Sequence, residues 1–301
     1  LKAEDQLEYM KIALKAALLA GEAILRVYQK PFAVDYKADH SPLTEADRQS
    51  HQAIEDELRR FNDAPILSEE GQSIEFQDRR NWTGFWLVDP LDGTKEFVKR
   101  NGEFTVNIAW VTHGAPAMGV VYAPVSRICY WGMTCRGAFQ FSVPARIDQS
   151  MLTPTALSDR IENSASPAPR RATGQSLMVV ASRSHPSPAL AEFTEQLKLQ
   201  FSDVAFRSVG SSLKICLVAS GAADVYPRLG PTMEWDTGAG QALVEAGGGR
   251  LLSLADGRPL RYNKPCLRNP GFIALGPHLI AHAGVRELIG RLILQRTSQN
   301  V

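Results

Sequence analysis

An apolar strand that runs straight into acid constrains this chain more than any other feature: Trp86-Leu87-Val88 is followed by Asp89-Pro90-Leu91-Asp92-Gly93-Thr94. Two carboxylates, a turn-forming glycine and a hydroxyl stand together at the strand's end. Pro90 fixes its own φ and the Leu91 carbonyl is free to turn inward, so Asp89, Asp92 and that carbonyl can converge as three oxygen ligands. Hard cations such as magnesium take ligands of this kind and fill their remaining positions with water and phosphate. Read alone, the segment serves equally well as a strand-to-turn junction with two solvated aspartates.

The chain has 301 residues, 44% of them hydrophobic and 22% charged, an ordinary globular composition large enough for two lobes. A net charge of +1 gives no polyelectrolyte attraction to nucleic acid or membrane, so phosphate recognition has to be local. The four cysteines, Cys129, Cys135, Cys216 and Cys266, form no Cys-x-x-Cys pair, and a chain of this size needs no disulfides. Reduced thiols and a cytoplasmic protein are expected. No apolar run approaches the roughly 20 residues that span a bilayer, and residues 1–30 carry acids and lysines throughout, which argues against a signal peptide or anchor. A loose peripheral association with the inner membrane is left open. So is the oligomeric state, with a monomer slightly favoured.

Apolar residues from Leu7 to Tyr28 recur at helical spacing, and a second helix is expected from a Thr44 cap through Ile54 and Leu58 to Phe61. Short strand-like runs follow at Ile66-Leu67, Phe85–Val88, Phe104–Val111, Met118–Tyr122 and Ile128–Gly132, which suggests an antiparallel sheet. Residues 142–175 lose periodicity and read as an irregular connector between lobes. Beyond them, strands at Leu177–Ala181, Val204–Val209 and Ala223–Tyr226 alternate with helices over Pro188–Lys198, Ser211–Ser220 and Thr237–Ala246.

Four acidic segments sit beside turn or capping signals: Thr44-Glu45-Ala46-Asp47, Ser68-Glu69-Glu70, Asp89 with Asp92, and Trp235-Asp236. Each is explained by itself as a cap or a solvated loop. If they meet, each like-charge pair near 4 Å repels by about 4 kcal/mol at an effective dielectric of 20, which a bound cation removes.

With these segments in place, the chain resembles the lithium-sensitive, magnesium-dependent phosphatases of the inositol monophosphatase superfamily. Both hallmark motifs are present: Asp89 to Thr94, and Trp235-Asp236-Thr237-Gly238-Ala239-Gly240 followed by Ala246-Gly247-Gly248. Lys95-Glu96-Phe97, Ser182-Arg183-Ser184-His185, Gly210-Ser211-Ser212-Leu213-Lys214 and Tyr226-Pro227-Arg228 are similar to the bacterial CysQ branch, whose members are 3'(2'),5'-bisphosphate nucleotidases. Gly238 stands where the superfamily usually has Ala or Cys, and the 142–175 connector is a second departure. The resemblance implies an α/β fold, with an α+β N-terminal lobe (residues 1–172) and an α/β C-terminal lobe (residues 173–301). The two form a layered αβαβα sandwich of the inositol monophosphatase and fructose-1,6-bisphosphatase type, with the active site between the lobes.

The same resemblance implies roles. Glu69, Asp89 and the Leu91 carbonyl would hold one magnesium ion, and Asp89, Asp92 and Asp236 a second, with Asp89 bridging. Glu70 matches a position that in some relatives supports a third, weaker metal. Thr94 would pair with Asp47, and that hydroxyl and carboxylate would orient and deprotonate the metal-bound water, with Glu69 a third catalytic residue. Glu69, Leu91, Asp92, Gly93, Thr94 and Asp236 would touch the reacting phosphate. Ser211, Ser212 and Lys214, at a helix start that favours anions, and Arg228, whose planar fork suits phosphate, would bind the second phosphate, with His185 on that phosphate or the ribose. The expected reaction is hydrolysis of adenosine 3',5'-bisphosphate to AMP, with the sulfated analogue a further substrate, clearing a by-product of sulfate assimilation. The partner is thus a small phosphorylated nucleotide, not a nucleic acid. An inositol or sugar phosphatase is the rival, against which Glu96 argues, since those relatives usually carry Asn there. A non-catalytic nucleotide-binding relative is the other. A solvated basic face is expected for Lys99 and Arg100.

Overall fold

The computed structural model describes residues 3–36, 42–164, 176–181 and 188–299. The lobe boundary expected at 172/173 and the residue His185 lie outside them.

Helix α1 (Ala3–Tyr28) buries Ala13, Ala16, Ala17 and Ala20 beside Met10, Leu14, Leu18 and Ile24, a face short enough for a second helix to lie close. A small antiparallel pair, β1 (Val34–Tyr36) and β2 (Pro42–Thr44), leads into that helix, α2 (Glu45–Phe61). Next come β3 (Ile66–Ser68), the short α3 (Phe76–Arg79), β4 (Gly84–Asp92), the short α4 (Thr94–Val98), β5 (Thr105–Thr112), β6 (Ala115–Ala123), β7 (Ile128–Met133) and β8 (Gly137–Ser142). These six strands form one sheet in the order β3-β4-β5-β6-β7-β8. All neighbours are antiparallel, as the short connections favour, except the parallel β3–β4 pair. Helices α1 and α2 cover one face through a core that includes Trp86, Phe97, Phe104, Tyr122 and Trp131. Arg100 is exposed, as expected of a solvated basic face, but it also has fixed partners. Its guanidinium donates to the Tyr28 and Lys30 carbonyls at 2.6 and 2.7 Å and lies over the Phe32 ring, stitching α4 to the end of α1.

The expected irregular connector contains a helix, α5 (Pro154–Asn163). The Thr153 hydroxyl accepts from the Ala156 amide at 3.2 Å and Pro154 occupies the first helical turn, a start signal of the usual kind. Beyond it lie β9 (Leu177–Ala181), α6 (Pro188–Gln200), β10 (Val204–Ser208), α7 (Leu213–Ala219), β11 (Val225–Arg228), β12 (Thr232–Met233), α8 (Glu234–Ala246), β13 (Arg250–Ser253), β14 (Arg268–Asn269), β15 (Phe272–Leu275) and α9 (Ala283–Gln299). The second sheet runs β10-β9-β11-β15-β13, parallel across β10-β9-β11 and antiparallel beyond. One of its faces carries α6 and α9, through Phe193, Leu197, Leu288 and Leu292. Its other face shares a core with α7, α8 and the back of the first sheet. The layers are therefore helix, sheet, helix, sheet, helix, the expected sandwich, with α7 and α8 filling the middle. All four cysteines are free. No helix among the described residues is long and apolar enough to cross a membrane.

Glycine sets how deeply α8 sits. A Cβ on Gly119 of β6 would lie 2.7 Å from the Ala239 Cα, so only a bare backbone lets the helix rest on that strand. Gly238 has a similar reason, because a Cβ there would stand 2.6 Å from Leu87 Cδ2. Gly119→Ala is expected to lower unfolding free energy by about 1–3 kcal/mol, the cost of overpacking. Urea denaturation measures it, and an unchanged midpoint would show that α8 can shift freely.

Candidate metal and phosphate site

Strand β4 continues past Val88, where the sequence suggested it would stop, to Asp92. Asp89 pairs with Asn107 and Asp92 with Thr105 of β5, with a register shift between them. Pro90 cannot donate to the ladder, and the resulting bulge re-aims the following residues, as bulges beside active sites do. The Leu91 amide turns back to donate to Asp89 Oδ1 at 3.0 Å, and Ser50 of α2 donates to the Pro90 carbonyl at 2.6 Å. Gly93 then takes φ 91°, which reverses the chain into α4.

Glu69 follows β3, and its amide donates to the Val88 carbonyl at 3.1 Å, which brings it alongside Asp89. Asp236 is the third residue of α8, not the expected cap before it, and its Oδ2 accepts from the Met233 amide at 2.8 Å. The start of that helix is anchored on both sides. The fully buried Glu234 accepts from Lys264 Nζ at 2.6 Å and from the Asn263 amide at 2.7 Å. Asn269 donates to the Met233 carbonyl and to Thr237 Oγ1, each at 2.9 Å. As a result Glu69, Asp89 and Asp236 bring carboxylate oxygens within 4.8 Å of one another.

Burial raises the pKa of Asp89 well above the ordinary carboxylate value, and the charges of Glu69, Asp92 and Asp236 raise it further. Asp236 is raised for the same reasons, burial first and then Asp92. Buried acids that disfavour their own ionisation are a donor set that fits a hard cation, since the ion supplies the missing counter-charge. Asp92 stands on the edge of this group and lines an open cleft with Gly93, Ser211, Lys214, Arg228 and Asp236. Half-buried Glu70 lies in the turn after Glu69.

Asp47 reconciles the two roles open to it. Its Oδ2 closes the capping box, accepting from the Thr44 amide at 2.7 Å and the Thr44 hydroxyl at 2.6 Å. Its Oδ1 faces the metal turn and accepts from Thr94 Oγ1 at 3.2 Å. The same hydroxyl lies 3.3 Å from the Leu91 carbonyl. Burial raises the Asp47 pKa against the opposing bonds from Thr44 and Thr94, leaving it a better proton acceptor than a solvated aspartate.

Two cationic residues also line the cleft. Lys214 is almost fully buried, with Nζ 3.4 Å from the Val209 carbonyl and 5.8 Å from the centre of the Tyr226 ring. Burial lowers its pKa and the charge of Asp92 works against that fall. Arg228 closes the cleft beside Tyr226 and Thr232, with Nη2 3.4 Å from the Pro231 carbonyl. The sequence suggested that free amides at Ser211 and Ser212 would receive an anion, but α7 begins only at Leu213 and spans seven residues. The Ser212 amide is taken by Asp92 Oδ2 at 2.5 Å, and the Gly210 amide by Glu103 Oε2 at 2.8 Å. Both serines line the cleft, Ser212 buried and Ser211 more open.

Glu103, Thr105 and Asn107 escaped the sequence reading. Two polar residues alternating in an otherwise apolar strand, Thr105-Val106-Asn107-Ile108, were the available signal. Tyr226 and Thr232 as cleft walls had none.

The model for the inositol monophosphatase family matches residues 5–290. The chain is 43% identical over 264 residues to the 3'(2'),5'-bisphosphate nucleotidase CysQ of Escherichia coli strain K12, covering 84% of this chain and 94% of that protein. It is 35% identical over 264 residues to the protein of the same description from Haemophilus influenzae, covering 86% and 90%. Among solved structures it is similar to CysQ from Bacteroides thetaiotaomicron, at 46% identity and TM-score 0.81, covering 90% of this chain and 97% of that one. A Thermotoga maritima IMPase at 21% identity and TM-score 0.68, covering 97% of this chain and 99% of that one, shares the fold. Motifs, layered architecture and these likenesses agree that the chain belongs to the inositol monophosphatase family.

Proposed function

We propose that the chain is a magnesium-dependent 3'(2'),5'-bisphosphate nucleotidase that hydrolyses adenosine 3',5'-bisphosphate to AMP and phosphate. One observation carries this beyond the family. A single cleft is lined by Asp92 and Asp236 together with Lys214 and Arg228, carboxylates for a cation beside cationic groups for an anion, which suits a substrate with two phosphates. Nucleotidase relatives at 43% identity support the same substrate class.

Glu69, Asp89 and the Leu91 carbonyl, and Asp89, Asp92 and Asp236, are the proposed ligand sets. Magnesium bound there would supply Lewis-acid activation of the attacking water and charge neutralisation at the leaving oxygen. Thr94 orients that water through a hydroxyl whose own proton is committed to Asp47. The water oxygen forms the new bond to phosphorus while its proton passes through Thr94 to Asp47, the acceptor that burial has made more basic. The bond from phosphorus to the ribose 3' oxygen breaks, that oxygen takes up a proton from a solvent water as AMP leaves, and Asp47 returns its proton to solvent. Lys214 and Arg228 hold the 5' phosphate and so set the ribose in line for attack.

The deciding experiment is a panel of phosphate esters with magnesium, with and without lithium. Adenosine 3',5'-bisphosphate is expected to be the fastest substrate, with lithium inhibiting. Faster turnover of inositol 1-phosphate would overturn the assignment in favour of a sugar-phosphate phosphatase.

Lys214→Ala is expected to raise KM for the bisphosphate by about tenfold or more, the effect of one lost charged contact. KM for a 3'-mononucleotide should barely move. Equal effects on both would remove the two-phosphate argument.

A third outcome concerns stability. A carboxyl whose folded pKa is raised stabilises the fold at low pH, and that contribution is lost as pH rises past its unfolded value. At neutral pH the metal-free site is therefore destabilising. Asp89→Asn should raise the metal-free melting temperature by roughly 2–4 °C, the shift for about 1 kcal/mol in a chain of this size, while abolishing the further rise on adding magnesium. Differential scanning calorimetry reads both. A lower metal-free melting temperature would contradict the account of the site.

A further inference from the structure

A chain of hydrogen bonds behind the cleft reaches Asp92 from the second sheet's side. The Ser212 amide donates to Asp92 Oδ2 at 2.5 Å, occupying one of the carboxylate's two oxygens. The Ser212 hydroxyl donates to Asn107 Oδ1 at 2.8 Å and lies 2.7 Å from Thr105 Oγ1, which is also 2.6 Å from Ser211 Oγ. With Glu103 holding the Gly210 amide, four side chains of the first half grip loop 210–212.

The seating is tight. A Cβ at Gly210 would lie 2.7 Å from Glu96 Cγ and 2.8 Å from the Glu103 carbonyl oxygen. Ser211 is held at φ 53°, a left-handed conformation that a residue with a Cβ keeps only where its surroundings over-determine it.

Register sharpens the pattern. Thr105 is the β5 partner of Asp92, and Asn107 is the partner of Asp89, so the two polar residues of this strand stand opposite the two aspartates of the metal turn. Both are buried, and Asn107 Nδ2 has no hydrogen-bond partner among the described residues. A buried amide half satisfied costs free energy that an apolar side chain of the same shape would avoid. Its contribution therefore lies in the oxygen that receives Ser212.

We propose that Thr105 and Asn107 are positioning residues: they pin Ser212 so that its amide fixes the Asp92 carboxylate for the cation. The same grip holds the loop from which Lys214 enters the cleft, so cation site and second-anion side move as one unit. The inference rests on Asp92 being a cation ligand.

Thr105→Val removes the hydroxyl at nearly constant shape, and Thr105→Ser restores it. Protein stripped with a chelator is titrated with magnesium chloride and followed by its melting temperature. Thr105→Val should raise the magnesium concentration at half of the rise by about three- to tenfold, the range for one lost hydrogen bond, and Thr105→Ser should return it to within about twofold of the unmodified chain. Ser212→Ala, cutting the same chain at its next member, should shift the midpoint in the same direction and serves if Thr105→Val does not fold. A purely structural role lowers the melting temperature at every magnesium concentration and leaves the midpoint in place, which overturns the proposal. An equal shift in Thr105→Ser also overturns it. None of these readings needs the substrate, and the substrate assignment stands or falls separately on bisphosphate hydrolysis by the unmodified chain.

Discussion

Glu69, Asp89 and Asp236 hold carboxylate oxygens within 4.8 Å of one another, and unit charges at about 4 Å repel by about 4 kcal/mol even at an effective dielectric of 20. Local structure at those residues does not overcome this. Long-range packing does. Helix α8 is pressed onto β6 because Gly119 offers no Cβ, and its first turn is anchored by Glu234, Lys264 and Asn269. Strand β3 delivers Glu69 beside β4 by parallel pairing. The bulge at Pro90 lets Asp89 and Asp92 leave one strand toward one site. The stability of the sandwich is spent on bringing these charges together, which makes sense only if a cation completes them.

Much of this was legible in the chain. The apolar run before Asp89, the Thr44 and Asp47 capping signal and the helical periodicity of Leu7 to Tyr28 are local patterns, and local patterns decide local structure. What escaped was non-local. No single-sequence signal tells that Ser212's amide will be consumed by a carboxylate 120 residues earlier in the chain, and capping logic alone leaves such an amide free. Arg100 looks like a surface cation because its acceptors are the carbonyls of Tyr28 and Lys30, groups every residue carries and no pattern marks. Helix α5 was the exception, since Thr153-Pro154 is a recognisable start, outweighed in the reading by the surrounding Pro, Ser and Thr.

Asp47 illustrates why structural and functional readings of one residue need not compete. One of its oxygens caps α2 and the other receives Thr94. The cap fixes the carboxylate without consuming the oxygen that receives Thr94. The proposed proton acceptor is thereby held by the Thr44 cap of its own helix, so its orientation is set before any substrate binds.

The division of charge across the cleft follows from the same economy. Acid gathered for a cation would repel a phosphate that arrived without one, so a second phosphate needs cationic partners of its own. Lys214 and Arg228 stand on α7 and β11, elements of the second half, and line one cleft with Asp92 and Asp236. Burial lowers the Lys214 pKa, and the charge of Asp92 opposes that fall. The proposed cation site and the proposed second-anion site are thus electrostatically linked through Asp92, and the proposed substrate, with a phosphate for each, would satisfy both.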